Sequence, residues 1–400
     1  MSFPNILSSA DVNMLRRRAF LRTVGGAWAL SGGLTRWSIG EDRPLTNVEK
    51  RLIMRQEKPW NAEANLADLL TAQTPLEAFF VRCHGTIPEI DAAGFRLKIE
   101  GLVERPLEVS IAELTKRFEV ATSTAALTCA GNRRNEMNAI KKVPGVMWGA
   151  GAVGGTTWQG VRLADLLKSC GLKPDAKHVC FVGGDEVVDK GDKFPFGASI
   201  PLAKAMVTGG GSPLLVTQMA GRPLLKEHGY PLRLVVPGYI GARSVKWLSK
   251  IVVSDQSSSN HFVAHAYKLL QEETPAAMAA ADPIYEIALN SVIGSITRGK
   301  DKVIRAAGGA IPSGHGTKIT RVEVTLDGGK NWTLAVLTDK NSGMYYWTPW
   351  VVEFPARGGE TELAVRAFDD SGRVQAETSD WNVKGYQFNG WHKVSVPGEV

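Results

Sequence analysis

The chain has 400 residues, 44% of them hydrophobic and 22% charged, which is enough apolar content for the cores of two or three globular domains. Its 47 basic and 40 acidic side chains give a net charge of +7, a value that suits nucleic acid, an anionic surface or a small anionic substrate. Because the basic residues are scattered apart from one triplet, the basic stripe of a nucleic-acid-binding protein is missing, and we expect no nucleic-acid partner.

The N-terminal segment, residues 1–40, has the pattern of an export signal. Arg16, Arg17 and Arg18 precede a short run over residues 23–30 that is rich in Gly and Ala, which is typical of a twin-arginine signal. The run is shorter than the ~20 apolar residues that span a bilayer, so we expect no stable membrane span. The alternative is an amphipathic leader helix or a disordered basic tail. Since the twin-arginine route exports folded proteins, the signal favours a periplasmic protein that receives its cofactor before export.

The next two segments are predicted to be a lead-in and a first domain. Residues 41–75 form a polar lead-in, with helices predicted over 49–54 and 62–70. Residues 76–270 alternate short strands with helical pieces. The predicted strands cover 95–99, 179–182 and 232–236, and the predicted helices cover 163–169 and 202–206. This order predicts a mixed α+β domain rather than a regular βαβ series.

The rest of the chain predicts a linker and a second domain. Residues 271–283 are Ala-rich and contain Pro275 and Pro283, as expected of a linker. Residues 284–400 alternate apolar and polar side chains over 321–326 and again over 332–337, with an Asp-Gly-Gly turn between them, which is a hairpin signal. A further alternating segment over 361–368 ends in another turn. Short strands separated by turns predict an immunoglobulin-like β-sandwich.

Four cysteines are present, and one stands in an unusual setting. Cys83, Cys129, Cys170 and Cys180 include no C-x-x-C pair and no haem attachment site, so a disulfide framework is not expected. Cys129 lies among small residues and is followed by two arginines, and nearby cations favour the thiolate. Three interpretations remain open for Cys129: a nucleophile, a metal ligand, or a buried cysteine beside structural arginines. We expect the other three cysteines to be small buried hydrophobes.

The motif around this cysteine resembles that of a known family. Cys129-Ala130-Gly131-Asn132-Arg133-Arg134 is similar to the cysteine motif of the sulfite oxidase and plant nitrate reductase family, whose cysteine ligates molybdenum. The similarity runs from about residue 76 to 393, and further motifs follow in the family's order over residues 79–84, 196–202, 228–233, 236–238, 241–247 and 267–268. The resemblance implies a mixed α+β molybdopterin-binding domain followed by an immunoglobulin-like dimerisation domain.

The resemblance also implies a role for each matching residue. Cys129 would supply the single protein sulfur on molybdenum. Arg82 and Arg134 would bind the substrate, because guanidinium keeps its charge and has planar donor geometry. Trp148 would form an apolar wall, and Tyr267 would direct its hydroxyl towards the metal centre as a proton donor. The pterin and its phosphate would be held by His84, Asp185, His228, Arg233 and Lys246.

Some positions depart from the family's pattern. Ser244 replaces a histidine of animal sulfite oxidases, and Cys83 replaces their asparagine, so contacts to the pterin would differ there. Lys393 is a further candidate cation near the substrate. Residues 1–75 lack paired histidines in a suitable frame, so we expect no haem in this chain.

The implied reaction is the oxidation of sulfite to sulfate by oxygen-atom transfer at a molybdenum cofactor. Electrons would pass to an external acceptor, a c-type cytochrome, and the protein would be a homodimer. Within the oxidoreductases, the alternatives are a sulfane-sulfur dehydrogenase, a nitrate reductase and a methionine-sulfoxide-type reductase. An alternative of another class is a non-catalytic periplasmic binding module that keeps the fold.

Overall fold

The computed structural model describes residues 51–339 and 343–398, so the predicted export signal lies outside the described residues. The first domain contains the strands β1 (Leu52–Gln56), β2 (Asn61–Ala64), β3 (Val81–Arg82), β4 (Leu97–Gly101), β5 (Leu107–Val109), β6 (Val120–Thr128), β7 (Val153–Arg162), β8 (His178–Asp189), β9 (Asp192–Pro201), β10 (Leu214–Met219), β11 (Arg222–Pro223), β12 (Arg233–Val235) and β13 (Leu248–Ser254). Its α-helices are α1 (Ile111–Arg117), α2 (Arg134–Ile140), α3 (Leu163–Cys170), α4 (Leu202–Ala205) and α5 (His261–Ala264). Short 3₁₀ turns cover Leu66–Leu69, Leu76–Ala78, Lys226–His228 and Gly241–Arg243.

Three sheets make up the first domain. Their strand orders are β1-β2-β3, then β11-β10-β7-β6 with β12 also paired to β10, and finally β5-β4-β13-β8-β9. Strand β13 runs parallel to β4 and antiparallel to β8, so the third sheet is mixed. Helix α3 buries one apolar stripe and ends at Gly171, whose φ of 69° suits glycine. The prediction of a mixed α+β domain is confirmed.

The helices predicted over residues 49–54 and 62–70 are wrong. Strands β1 and β2 form an antiparallel hairpin there, and only the 3₁₀ turn Leu66–Leu69 is helical. The residue types are ordinary helix formers, but every residue of β2 is buried and β2 also pairs with β3. Tertiary pairing therefore overrides local propensity, and part of the predicted lead-in belongs to the wall that holds Arg82.

The segment predicted as a linker forms a short helix and leads into the second domain. Helix α6 (Pro275–Ala280) begins after Thr274, whose hydroxyl accepts a hydrogen bond from the Ala277 N–H. The strands that follow are β14 (Asn290–Arg298), β15 (Val303–Ile311), β16 (Ile319–Thr325), β17 (Thr333–Leu334), β18 (Val336–Leu337), β19 (Thr348–Pro355), β20 (Glu362–Asp369) and β21 (His392–Ser395).

These strands form two four-stranded sheets, which confirms the predicted sandwich. The sheet orders are β14-β15-β19-β18 and β17-β16-β20-β21. Val322, Val365 and Trp350 are fully buried between the sheets. The segment predicted as one strand over 332–337 divides at Ala335, so that β17 joins one sheet and β18 joins the other.

The second domain contacts the first through the connection before β19. Trp347 donates its indole N–H to the Leu69 carbonyl at 2.8 Å, and the Ala126 N–H donates to the Tyr345 carbonyl at 2.9 Å. Ala126 lies in β6, which leads directly to Cys129. The second domain therefore supports the strand that carries this cysteine.

Candidate active site

One cavity in the first domain gathers most of the predicted site residues. Its empty volume is about 680 Å³, which includes space that is open to solvent. Eight of the predicted residues line it, namely Arg82, His84, Cys129, Asp185, His228, Arg233, Lys246 and Tyr267. They come from at least five separate segments of the chain, so the fold assembles the cavity from distant positions.

Cys129 stands at the end of β6, where a tight turn holds it against the cavity. Its N–H donates to the Ala152 carbonyl at 2.9 Å, and the Gly131 N–H points at Sγ from 3.4 Å. A Cβ at Gly131 would lie 2.7 Å from the Arg134 guanidinium carbon, so any larger residue there would have to displace that guanidinium. The Cys129 side chain is part of an apolar cluster, and it also lines the cavity together with Arg82 and Tyr267.

Tyr267 and His84 form a buried polar pair on the cavity wall. The Tyr267 hydroxyl lies 2.7 Å from His84 Nε2. Burial lowers the pKa of His84 well below its ordinary value, and the charges of Arg82 and Lys246 lower it further. Burial raises the pKa of Tyr267. The imidazole is therefore neutral and the phenol protonated, so the Tyr267 hydroxyl can donate to Nε2.

Arg82 is held in place by residues of the first sheet. Its Nη1 donates to the Asn61 side-chain oxygen at 3.1 Å and to the Cys83 carbonyl. The same Asn61 oxygen accepts the Cys83 N–H at 3.0 Å. Asn61 itself is fully buried in β2. The guanidinium is thus fixed before any ligand arrives, which is the condition for a preorganised anion site.

Arg233, which is buried, and Lys246, which is half-buried, add two further cations to the cavity lining. Arg233 donates to the carbonyls of His228 at 2.9 Å and Ser244 at 3.2 Å. Lys246 Nζ donates to the Glu227 carbonyl at 2.8 Å and lies 3.1 Å from the Cys83 sulfur. Desolvation lowers the pKa of Arg233 to about 9 and also lowers that of Lys246. Buried charge without an ion pair is costly, so these cations suit an anionic ligand such as a phosphate.

Several buried polar atoms around the cavity have no hydrogen-bond partner among the described residues. They are Asp185 Oδ1, Glu227 Oε1, His228 Nε2 and Arg233 Nε. Burial raises the pKa of both carboxyl groups. An unsatisfied buried polar atom costs about 1–3 kcal/mol, so such a set indicates a ligand with both donors and acceptors. A pterin with its phosphate has that chemistry, and the residues fit it.

Comparison with known proteins identifies the family. A family model described as an oxidoreductase molybdopterin binding domain matches residues 84–262, and one described as a Mo-co oxidoreductase dimerisation domain matches residues 281–399. Sulfite oxidase of Gallus gallus is 35% identical over 361 residues, which cover 86% of this chain and 77% of that protein. This chain belongs to the sulfite oxidase family. Both matched domains are of the types found in molybdenum-cofactor oxidoreductases.

Other members of the sulfite oxidase family differ in substrate. Mitochondrial sulfite oxidase of Drosophila melanogaster is 38% identical, and the match covers 85% of this chain and 62% of that protein. NADH nitrate reductase 1 of Oryza sativa subsp. japonica is 36% identical over 84% of this chain, which spans 40% of that protein's length. The crystal structure of the sulfane dehydrogenase SoxCD from Paracoccus pantotrophus matches with a TM-score of 0.74 at 28% identity, covering 94% of this chain and 99% of that chain. Membership alone does not choose among these substrates.

Two residues assigned by family resemblance, Arg134 and Trp148, do not line the cavity. Arg134 donates to the carbonyls of Val146 at 2.9 Å and Gly385 at 3.3 Å, and it packs 5.2 Å from the ring centre of Tyr386. Trp148 is fully buried in the apolar cluster that contains Cys129. Both therefore lie behind the cavity wall. Their roles in substrate binding stay predictions.

Two other basic residues named in the sequence analysis, Arg133 and Lys393, also lie outside the cavity lining. Arg133 is fully buried, pairs with Glu136 at 2.7 Å and donates to Asn290 of the second domain at 2.8 Å. Arg133 thus ties the cysteine turn to the sandwich. Lys393 is half-exposed on β21, where it pairs with Glu377 at 3.1 Å. It does not line the cavity, so the structure does not place it with the other candidate cations.

The roles assigned from the family resemblance left out some residues that line the cavity. Cys83 is buried in an apolar cluster, as predicted, but its sulfur also lines the cavity and contacts Lys246. Cys170 is buried in the core as predicted, and Cys180 is only half-buried. Glu227 and the apolar Phe79, Phe80, Phe196 and Trp247 also line the cavity. The positions of Cys83 between Arg82 and His84, and of Glu227 before His228, were the available signals.

Proposed function

We propose that this protein is a sulfite dehydrogenase, which oxidises sulfite to sulfate by oxygen-atom transfer at a molybdenum cofactor. The main observation in support of this proposal is that one cavity is lined by Arg82, the Tyr267–His84 pair and the Cys129 thiol. Sulfite is a small dianion, so its site needs positive charge that does not titrate. A guanidinium held by Asn61 meets that need.

The cofactor, when bound, supplies the two-electron chemistry. Cys129 would hold the metal, because a thiolate is a soft and strongly donating ligand. Asp185, Glu227 and His228 would bind the pterin through the atoms that lack a partner among the described residues. Arg233 and Lys246 would bind its phosphate.

The protein's own side chains would orient the substrate and hold a proton. Arg82 would orient the sulfite dianion by charge-assisted hydrogen bonds. Tyr267 would keep its proton near the reacting oxygen, because its pKa is raised by burial and its hydroxyl is aligned by neutral His84. Phe79 and Phe80 on the wall would exclude water and so strengthen the field of the arginine.

We propose an external acceptor for the electrons, a c-type cytochrome, and a periplasmic location. The twin-arginine pattern near residue 16 supports export after folding. The match of residues 281–399 to a dimerisation domain supports a homodimer. None of the helices in the described part of the chain is long and apolar enough to span a bilayer.

The test is steady-state turnover of the molybdenum-loaded protein with sulfite, thiosulfate and nitrate. The acceptor is ferricyanide in one series and a purified periplasmic c-type cytochrome in another. We expect sulfite to have the highest kcat/KM, and Arg82→Met to lower it by about 100-fold or more. Lys393→Met, which removes a cation outside the cavity, is the matched control. Turnover with ferricyanide but not with the cytochrome would count against the proposed acceptor.

One alternative substrate class has specific support. The sulfane dehydrogenase SoxCD superposes over 99% of its chain, so a sulfane sulfur is the second candidate. Faster turnover of thiosulfate than of sulfite would favour it, and faster turnover of nitrate would favour a nitrate reductase. Purified protein that contains no molybdenum after expression with its own leader would favour a non-catalytic binding module.

A further inference from the structure

Arg243 is a buried arginine whose charge has no carboxylate partner among the described residues. Its side chain is completely buried, and desolvation lowers its pKa to about 10. It does not line the cavity, although its neighbours Ala242 and Ser244 do. A buried guanidinium without an ion pair is costly. Its presence therefore calls for a role other than general stability.

The guanidinium joins the two chain segments that flank Tyr267. Nε donates to the Ile284 carbonyl at 2.9 Å, and Nη1 donates to the Phe262 carbonyl at 2.9 Å. The Ile284 N–H in turn donates to the Tyr267 carbonyl at 2.7 Å. The Phe262 ring packs 4.3 Å from the centre of the His84 ring. The Arg243 side chain thus connects Ile284, which hydrogen-bonds to Tyr267, with Phe262, which packs against His84.

Tyr267 needs such support because its backbone conformation is unfavourable. Its φ of 53° lies in the left-handed region, which bulky side chains rarely adopt. A conformation of this kind persists only where surrounding contacts impose it. The Arg243 guanidinium also lies 5.8 Å from the centre of the Tyr267 ring, and Tyr386 stacks at 5.1 Å. Without the guanidinium, the backbone and ring of Tyr267 would each lose a constraint.

We propose that Arg243 is a positioning residue that holds the Tyr267 hydroxyl on His84. It acts through Tyr267 and touches neither substrate nor cofactor. This inference rests on the proposed function, in which Tyr267 keeps a proton beside the reacting oxygen. It assigns a task to a residue of the 241–247 motif that had been given no role and that does not line the cavity.

A double-mutant cycle tests the coupling. In otherwise wild-type protein, Arg243→Met should lower kcat/KM for sulfite about tenfold per molybdenum, mainly through kcat, because small misplacements of a catalytic group have effects of this size. In the Tyr267→Phe background the same substitution should change kcat/KM by less than about twofold, since the group it positions is gone. Equal losses in both backgrounds would overturn the proposal.

The Arg243→Lys variant tests whether the two planar donors of the guanidinium are needed, because lysine keeps the charge but not that pair of donors. We expect it to remain within about threefold of Arg243→Met. Recovery to the wild-type rate would overturn the bridging role. The matched control is Arg298→Met in the second domain, which removes an arginine that pairs with Glu360 at 3.1 Å. This control variant should lower the stability of the protein but leave kcat/KM for sulfite unchanged in both the wild-type and the Tyr267→Phe backgrounds.

A readout without turnover separates this inference from the proposed function. In cofactor-free protein, hydrogen–deuterium exchange over residues 262–268 and 283–286 should be at least about threefold faster in Arg243→Met, while exchange in β4 stays unchanged. Faster exchange without sulfite turnover in the wild type would mean that the substrate is wrong but the bridge is real. Unchanged exchange would overturn the bridge itself.

Discussion

The cavity of the first domain and the core of the second domain bury polar groups in different ways. In the second domain, Asp369 accepts hydrogen bonds from Ser313 at 2.7 Å and from Ser371 at 2.6 Å, and His392 Nδ1 accepts the Ile293 N–H at 3.0 Å. Within residues 284–339 and 343–398, no buried ionisable side-chain atom lacks a partner. Around the cavity, each of four ionisable side chains has one buried atom without a hydrogen-bond partner among the described residues, namely Asp185, Glu227, His228 and Arg233.

The difference separates a binding region from a stabilising region. A buried ionisable atom without a partner destabilises the folded chain, so a group of such atoms is expected where a ligand supplies the missing hydrogen bonds. Among the described residues of the second domain, the buried atoms without a partner are neutral ones, Thr348 Oγ1 and Trp350 Nε1. A satisfied network has the opposite effect, because each member depends on the others. Substitutions around the cavity should therefore change cofactor retention and turnover, whereas substitutions in the sandwich should change stability alone.

The largest expected effect is that of Cys129→Ser. An alkoxide is a harder and less donating ligand than a thiolate, so turnover should fall by at least about 100-fold even if pterin is retained. Sulfite turnover and elemental analysis for molybdenum measure the two properties separately. Cys180→Ser, at a half-buried cysteine away from the cavity, is the control. Activity near wild type in Cys129→Ser would mean that the metal is held by another group.

The second largest effect is expected for Arg233→Met. This variant should weaken cofactor retention without a matching loss in the stability of the cofactor-free protein. Cofactor retention through gel filtration should weaken by about 10–100-fold. The free energy of unfolding of the cofactor-free protein should change by less than about 1 kcal/mol, because loss of the buried charge offsets loss of two hydrogen bonds. Molybdenum content and denaturant unfolding check the two values. A large destabilisation of the cofactor-free protein would remove the contrast between the two regions.

Asp369→Ala should have the opposite profile. Asp369 is 3% exposed and accepts hydrogen bonds from several donors, so its loss should cost about 2–3 kcal/mol of unfolding free energy. Molybdenum content and kcat/KM should stay unchanged. The neighbouring Asp370→Ala, at an exposed carboxylate, is the control. Loss of molybdenum in Asp369→Ala would show that the second domain also determines cofactor binding.

The smallest effect concerns pH and His392. Burial, aided by Arg133, lowers the pKa of His392 from the ordinary 6.5 to about 3. Between these values the unfolded chain binds a proton that the native state does not, so the unfolding free energy falls as the pH drops below 6.5, by up to about 1.4 kcal/mol per pH unit. His392→Gln should therefore lose about 1 kcal/mol less than wild type between about pH 6 and pH 5.

The buried His84 and His228 titrate in both proteins, so their contribution cancels in the difference. The same substitution at the exposed His315 is the matched control. Equal slopes in wild type and His392→Gln, measured by denaturant unfolding at each pH, would contradict the buried neutral state of His392.

Local patterns predicted the second domain better than the start of the first. Alternation over residues 321–326 and 361–368 reports one buried face of a strand, and β16 and β20 lie there. The same reasoning failed over residues 49–54, because Arg, Leu and Met occur in both helices and strands. Only the pairing of β1 with β2, and of β2 with β3, decides between them.

For the site, the motifs named side chains of which eight line one cavity, but they gave no information on the surroundings of those side chains. Cys129 stands in a run of small residues that a tight turn requires, so its setting could be inferred. The contact between Cys83 and Lys246 joins positions 163 apart in the chain, and no local pattern reports it. The same limit applies to Arg134, whose guanidinium faces Val146 and Gly385 rather than the cavity.

Outside the β1–β2 hairpin, the amino-acid sequence alone determined the main classes of element, the two-domain order and the identity of the cysteine motif, because these depend on periodicity and on short runs of residues. The tertiary structure alone decided which groups meet. Tyr267 and His84 lie 183 positions apart yet hydrogen-bond at 2.7 Å, and Arg243 reaches the supports of both. Burial and hydrogen-bond partnership arise from contacts between distant segments, so they become visible only when the chain is folded.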